Sequence, residues 1–312
     1  MNKLKLLFIT RDFSQYVERN TFYLTNELRK LVDVIEWFKP GDIREILKSI
    51  PQQPDFILLN DLKDTRCPTI TGLSTLKIPF GIIMHDLHLE IEKRKQFIEE
   101  TNVKYIFSIY RDAFLNDFRK YKDRMYWLPH FVNPSIFKDY RLEKDIDYLL
   151  LGKVAWYYPL RKRIVKTMRK IPGFVYRMHP GYRNIGVAEE KVFVGESYAK
   201  EINRAKVFFT CDSSLHYPII KYYEVLACNT LLLAPSLKEL RDLGFIPGQH
   251  FVEINGKNFL KMARYYLEHE DERKKIAQQG YEMVHKKHTV TIRAAQLVSY
   301  IKEILDDSTM KT

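Results

Sequence analysis

Lys221 and Glu224 stand three residues apart in the stretch Tyr217–Pro235, which reads as a helix, a tight stop and a strand. Pro218 suits the first turn of a helix, where its missing N–H costs nothing. At ~100° per residue, Ile219, Ile220, Tyr223, Leu226 and Ala227 share one broad apolar face. Lys221, Glu224 and Cys228 share the opposite side. Asn229 can take the left-handed conformation that ends a helix. Leu231–Ala234 is then a short apolar run of the buried parallel-strand kind, closed by Pro235. A helix that brings a Lys–Glu pair toward a strand end is shaped like the wall of a site. The plainer reading is a solvated i, i+3 pair worth a few tenths of a kcal/mol.

Three other stretches carry groups that could do chemistry. In Met84-His85-Asp86-Leu87-His88 the polar groups follow the apolar run Phe80–Met84, so they emerge at the carboxyl end of a strand. A histidine there suits proton transfer near neutral pH. The candidates for a general base are His85, then Asp86, then His88, against a helix cap for Asp86 and a surface position for His88. Gly152-Lys153, with Arg161 and Lys162 beyond, ends another strand, where helix N-termini offer unpaired N–H groups to phosphate. The alternative is a basic helix face, which is how Arg163, Lys166, Arg169 and Lys170 read. Cys211–His216 follows a third strand, and its serines suit helix capping. No metal site is expected: His85 and His88 lack further ligands, and Asp145-Ile146-Asp147 precedes a strand rather than ending one. Walker A, G-x-G-x-x-G and G-x-S-x-G patterns are absent, which argues against an ATPase, a dinucleotide oxidoreductase and a serine hydrolase.

The chain that must position these groups has 312 residues, 46% hydrophobic and 29% charged, which fits two globular domains. Cys67, Cys211 and Cys228 are scattered without CxxC spacing, so reduced thiols and a cytoplasmic location are expected. No apolar run approaches ~20 residues, so no membrane span is expected. The charge is uneven: residues 1–140 hold 22 Lys and Arg against 19 Asp and Glu, and residues 141–312 hold 29 against 20. Such a balance suits nucleic acid, an anionic membrane surface or phosphate-bearing ligands.

Strands expected at 4–10, 34–38, 55–59, 80–84, 105–108 and 125–128 alternate with helices at 16–31, 43–50, 91–101 and 113–121. That pattern predicts a doubly wound parallel sheet. It starts again with strands at 147–152, 174–178, 191–195, 207–210, 231–234 and 251–254 and helices at 160–170 and 198–205. The fold class is therefore α/β with two Rossmann-like doubly wound parallel-sheet domains. The expected bounds are 1–140, 141–290 and a C-terminal helical segment 291–312 returning toward the first domain.

Tyr223-Glu224-Val225-Leu226-Ala227-Cys228-Asn229-Thr230-Leu231-Leu232-Leu233 resembles the F-E-A-L-A-C-G-T-P-V-L signature of GT-B glycosyltransferases of the group 1 or family 4 type, and in particular the CgeB-like, spore-maturation branch. Pro129–Phe137 resembles the family's P-N-G-V-D…F join, with His130 where Asn is usual. The resemblance implies two domains facing a cleft and transfer of a sugar from a nucleotide diphosphate-sugar, with no cofactor and no metal required. It implies that Tyr223 and Glu224 lie at the donor, Glu224 on the ribose hydroxyls. It places Lys153 or Arg161 near the diphosphate, beside Gly152 and Lys221, and the base of the nucleotide along Val192–Glu196, including Val194. Ser213, Ser214 and His216 become donor contacts, and a histidine such as His85 contacts the donor sugar from the first domain. Two positions depart from the family: Asn229 stands for Gly, and His216 stands where a second Glu is usual. The acceptor is expected to be a glycan, lipid-linked or protein hydroxyl in polysaccharide biosynthesis, with peripheral contact at the anionic inner face of a membrane. Two other readings stay open: a non-catalytic relative that binds nucleotide-sugar or glycan, and a basic nucleic-acid-binding protein, for which no motif is present.

Overall fold

A computed structural model of the chain describes residues 3–186, 189 and 192–309, with 308 and 309 described by backbone alone. Packing divides it into two units, one of residues 1–14, 21–129 and 291–312, the other of residues 15–20 and 130–290.

In the first unit the elements are β1 (Lys5–Ile9), α1 (Asn20–Leu31), β2 (Asp33–Trp37), β3 (Gly41–Asp42), α2 (Ile43–Ser49), β4 (Phe56–Asn60), β5 (Ile70–Thr71), β6 (Phe80–Met84), α3 (Ile91–Thr101), β7 (Tyr105–Ser108), α4 (Arg111–Asp117) and β8 (Met125–Trp127). Six strands form one parallel sheet in the order β2-β1-β4-β6-β7-β8, while β3 and β5 pair separately. The central strands are buried on both faces, from Leu6 to Ile9 and from Phe56 to Leu59, which is why they read as unbroken apolar runs.

The second unit holds β9 (Ile146–Leu151), α5 (Pro159–Met168), β10 (Phe174–Arg177), α6 (Gly195–Asn203), β11 (Ala205–Phe209), α7 (Lys221–Ala227), β12 (Leu231–Ala234), α8 (Lys238–Asp242), β13 (Val252–Glu253), α9 (Phe259–Glu268) and α10 (Glu270–Lys287). Its five strands are also parallel, in the order β10-β9-β11-β12-β13. The last helix, α11 (Val290–Thr309), lies against the first unit: Gln296 Nε2 donates to Trp127 O at 3.2 Å, and the Tyr300 ring stacks on Phe107 and meets Tyr126.

Both sheets share one topology. In each, the second strand of the main sheet pairs outside the first, and the later strands add on the other side. The order therefore reverses between β1 and β4 in one unit and between β9 and β11 in the other. Ligands of open parallel sheets bind outside the carboxyl ends of the strands at that reversal. Two candidate positions follow, one per unit.

Several expectations about local structure are corrected. The helix expected over 16–31 begins at Asn20, because residues 15–20 join the second unit: Val17 N donates to Arg183 O at 3.0 Å and Ile185 N to Gln15 O at 2.8 Å. The strand expected at 191–195 is not there in its described part. Val194 instead precedes α6, its N–H bonded to Ser197 Oγ at 3.0 Å, and Lys191 lies outside the described residues. Pro218 is not in a helical turn: α7 starts at Lys221, after an irregular segment in which Ser213 and His216 have φ of 67° and 52°. Asn229 does end the helix with a φ of 52°, as its residue type suggested.

Candidate functional site

At the reversal in the second unit, Gly152 follows the end of β9 and Thr210 the end of β11. Gly152 has a φ of 152°, and a Cβ there would come within 3.0 Å of Arg161 Nη1 and 3.4 Å of Lys221 Cε. The bare backbone lets two cations close around the strand end. Arg161 is buried rather than on an outer helix face. Its Nη1 donates to Lys153 O at 2.8 Å and its Nη2 to Thr210 Oγ1 at 3.4 Å, so it ties the two loops together. Its guanidinium lies 3.9 Å from the centre of the Tyr158 ring, and its buried Nε has no hydrogen-bond partner among the described residues. Lys153 and Lys162 are exposed.

Lys221 and Glu224 are not a solvated pair. From Tyr222 to Ala227 every residue of α7 is buried, because the helix is packed by α6 and α10 as well as by β12. Tyr198 of α6 links the two charges: its hydroxyl donates to Glu224 Oε2 at 2.9 Å and accepts from Lys221 Nζ at 2.7 Å, while Nζ lies 3.8 Å from Oε2. Burial pushes the Glu224 carboxyl up, against the pull of Lys221 and the Tyr198 bond. Burial likewise brings Lys221 down to about 8, Glu224 opposing and Arg161 adding to the fall. Both groups are pushed toward neutrality, the mark of charges held out of water without full compensation. Glu224 Oε1 has no partner among the described residues. The carboxylate is thus anchored by one oxygen and able to accept from a ligand with the other.

Other expected donor contacts fall into different places. Ser213 is buried and its Oγ accepts from Leu215 N at 3.2 Å; Ser214 N donates to Tyr157 O at 2.9 Å. His216 has a side chain 75% exposed, paired through Nδ1 with Asp212 Oδ2 at 2.6 Å. Tyr223 is fully buried, its ring against Phe245, His288 and His130. Asp145 and Asp147 are bonded to Arg204 and Lys206. Among the described residues no group of three or more His, Cys, Asp or Glu is arranged to hold a metal.

In the first unit the reversal lies between Thr10 and Asn60. Asn60 Nδ2 donates to Thr10 Oγ1 at 2.9 Å and to Thr21 Oγ1 at 3.2 Å, which fixes its Oδ1 as an acceptor. His85 Nε2 lies 2.8 Å from that oxygen and so carries the proton, placing the lone pair of the neutral ring on Nδ1. His85 N donates to Asp61 Oδ2 at 3.2 Å, and Asp61 Oδ1 lies 2.7 Å from Arg94 Nη1, with both side chains essentially inaccessible. Burial works against the Asp61 charge, but Arg94 and His85 outweigh it and hold the carboxyl at about 2. Asp86 is bonded to Lys63 at 3.2 Å; burial opposes its ionisation, yet Arg66, Lys63 and His85 keep its pKa below the usual value. His88 is exposed, and desolvation leads Lys63 and Arg94 in lowering its pKa, against Asp86.

The sequence reading passed over Tyr198, His179, Asn60, Asp61 and Arg94. Asn60-Asp61 directly follows an apolar run, the same signal that singled out His85. For Tyr198 and Arg94 no local signal exists, since both act on partners from other elements.

The two doubly wound parallel sheets match the fold of solved GT-B glycosyltransferases. Residues 161–299, somewhat under half of the chain, match the family model described as glycosyl transferase-like. No curated protein matches the sequence. Among solved structures, HepE of Anabaena in complex with UDP and glucose superposes with a TM-score of 0.69 at 10% identity, over 96% of this chain and 100% of that one. Sucrose-phosphate synthase of Thermosynechococcus elongatus gives 0.68 at 13% identity over 98% and 100%. A glycosyltransferase of Rickettsia africae gives 0.62 at 12% over 98% and 99%. At these identities the likeness is one of fold.

Proposed function

We propose that this chain transfers a sugar from a nucleoside diphosphate-sugar to an acceptor hydroxyl, binding the donor at the carboxyl ends of β9 and β11. The observation that carries the reading is Glu224: a buried carboxylate, held through Oε2 by Tyr198 and leaving Oε1 for a ribose hydroxyl, within the segment that matches the glycosyl transferase-like model. Arg161, Lys153 and Lys221 supply positive charge at Gly152 for the diphosphate, whose negative charge grows as it leaves. Ser213 and Ser214 sit on the loop after β11, and HepE, of the same fold, has been seen with UDP-glucose.

His85 is the general base for the acceptor in this reading, its Nδ1 lone pair set by the bond to Asn60. The chemistry runs without a metal. The acceptor is a glycan, a lipid-linked sugar or a protein hydroxyl, and the basic second half of the chain suits one presented at an anionic membrane surface. No helix among the described residues is long and apolar enough to cross a membrane. Kinship with the CgeB-like branch rests on the Tyr223–Leu233 motif.

Thermal shift against UDP, GDP, ADP and dTDP identifies the nucleotide, since a ligand selective for the folded state raises its stability. Glu224→Ala is then expected to weaken that nucleotide about tenfold or more; unchanged affinity removes the ribose role. His85→Ala should keep donor binding and lose ~10²–10⁴-fold in turnover. A wild-type rate would dismiss the base assignment. A second reading, binding without transfer, draws on His216, which stands where a second Glu is usual and is turned to solvent beside Asp212. Hydrolysis or transfer of any nucleotide-sugar in a panel decides against it.

A further inference from the structure

His179 lies on the loop after β10, and the foregoing account leaves its side chain without a task. Strand pairing brings that loop beside Gly152: Arg177 registers with Leu151, Gly152 N donates to Arg177 O at 3.0 Å, and Tyr176 OH donates to Gly152 O at 3.1 Å. Met178-His179 and Gly152-Lys153 therefore leave the sheet side by side. The imidazole is fixed there by a tight turn. Its Nδ1 accepts from Gly181 N at 3.0 Å, Gly181 has a φ of 91° that a side chain would strain, and the Tyr182 ring lies 4.9 Å away.

This bond decides the tautomer. A proton on Nδ1 would face the Gly181 N–H, so the ring keeps its proton on Nε2. Nε2 has no hydrogen-bond partner among the described residues. The ring is half-buried, and its surroundings keep it neutral: partial burial, then Lys221, Arg161 and Lys153, bring its pKa down to about 4. A neutral N–H donor is thus set among three cations at one strand end. Such a grouping repels itself when empty and is satisfied by an anion with several acceptor oxygens.

We propose that His179 is a further donor-site residue, its Nε2–H bonding a terminal phosphate oxygen of the nucleoside diphosphate held at Gly152. The assignment rests on the reading of that site given above and adds a contact to it. A turn-closing role alone is the competing explanation, and His179→Asn separates the two. An asparagine Oδ1 can accept from the N–H two residues on, as in an Asx turn, but the shorter side chain has no donor at the Nε2 position.

The probe is whichever of UDP, GDP, ADP and dTDP stabilises the wild-type chain most, titrated alongside its nucleoside. His179→Asn is expected to melt as the wild type does, to bind the nucleoside equally, and to lose about tenfold or more for the diphosphate. His179→Gln, which restores a distal N–H, should recover part of that loss. If the wild type binds a diphosphate and His179→Asn binds it as tightly, this assignment alone is overturned. If the wild type binds none of the four, the reading of the site falls and takes this assignment with it.

Discussion

The two units place a buried carboxylate near the same topological position and treat it in opposite ways. In the first, Asp61 is closed into an ion pair with Arg94 at 2.7 Å, both inaccessible, and stays ionised down to about 2. In the second, Glu224 is 3.8 Å from Lys221 across the Tyr198 hydroxyl, and burial drives both toward neutrality. A carboxylate held 2.7 Å from its cation serves structure; one that its cation answers only in part keeps its capacity for a ligand. The first arrangement sets the backbone of His85, and the second offers an oxygen at the strand end.

The sharpest way to break this contrast is to delete each cation. Arg94→Met strands Asp61 in the core, and loss of a partner from a buried pair costs ~3–5 kcal/mol, read as the fall in denaturant midpoint. Lys221→Met leaves Glu224 its Tyr198 bond and a raised pKa, so the expected cost is about 1 kcal/mol, on the scale of a single hydrogen bond. Equal costs would erase the distinction drawn here.

A smaller effect appears with pH. Asp61 folds with a pKa of about 2, below its unfolded value of ~3.9, so its contribution of about 2.5 kcal/mol is present above pH ~4 and is lost as pH falls toward 2. Lys221 folds with a pKa of about 8, below its unfolded value of ~10.4. Between those values the unfolded chain binds more protons, so the Lys221 contribution to stability rises with pH. Nucleoside diphosphate affinity should move the other way, falling above pH ~8 by up to about tenfold per unit as the cation is lost. Affinity that holds level to pH 10 would take Lys221 out of the diphosphate site.

The sequence alone determined the two-sheet α/β plan, because strands buried on both faces must be unbroken apolar runs, and these recur between helices through most of the chain before β13. It also marked the helix stop at Asn229 and the polar groups that follow Met84, since residue type and a strand end suffice for both. The tertiary structure decided what those groups are. Periodicity divides α7 into two faces, but α6, α10 and β12 pack against it from several sides, and only that packing turns Lys221 and Glu224 from a surface pair into one largely withdrawn from solvent. Likewise the partnership of Asp61 with Arg94, of Glu224 with Tyr198, and of the Gln15–Asn20 segment with Arg183 joins residues far apart in the chain. Local propensity carries no record of such pairs, because it is the fold that brings them within bonding distance.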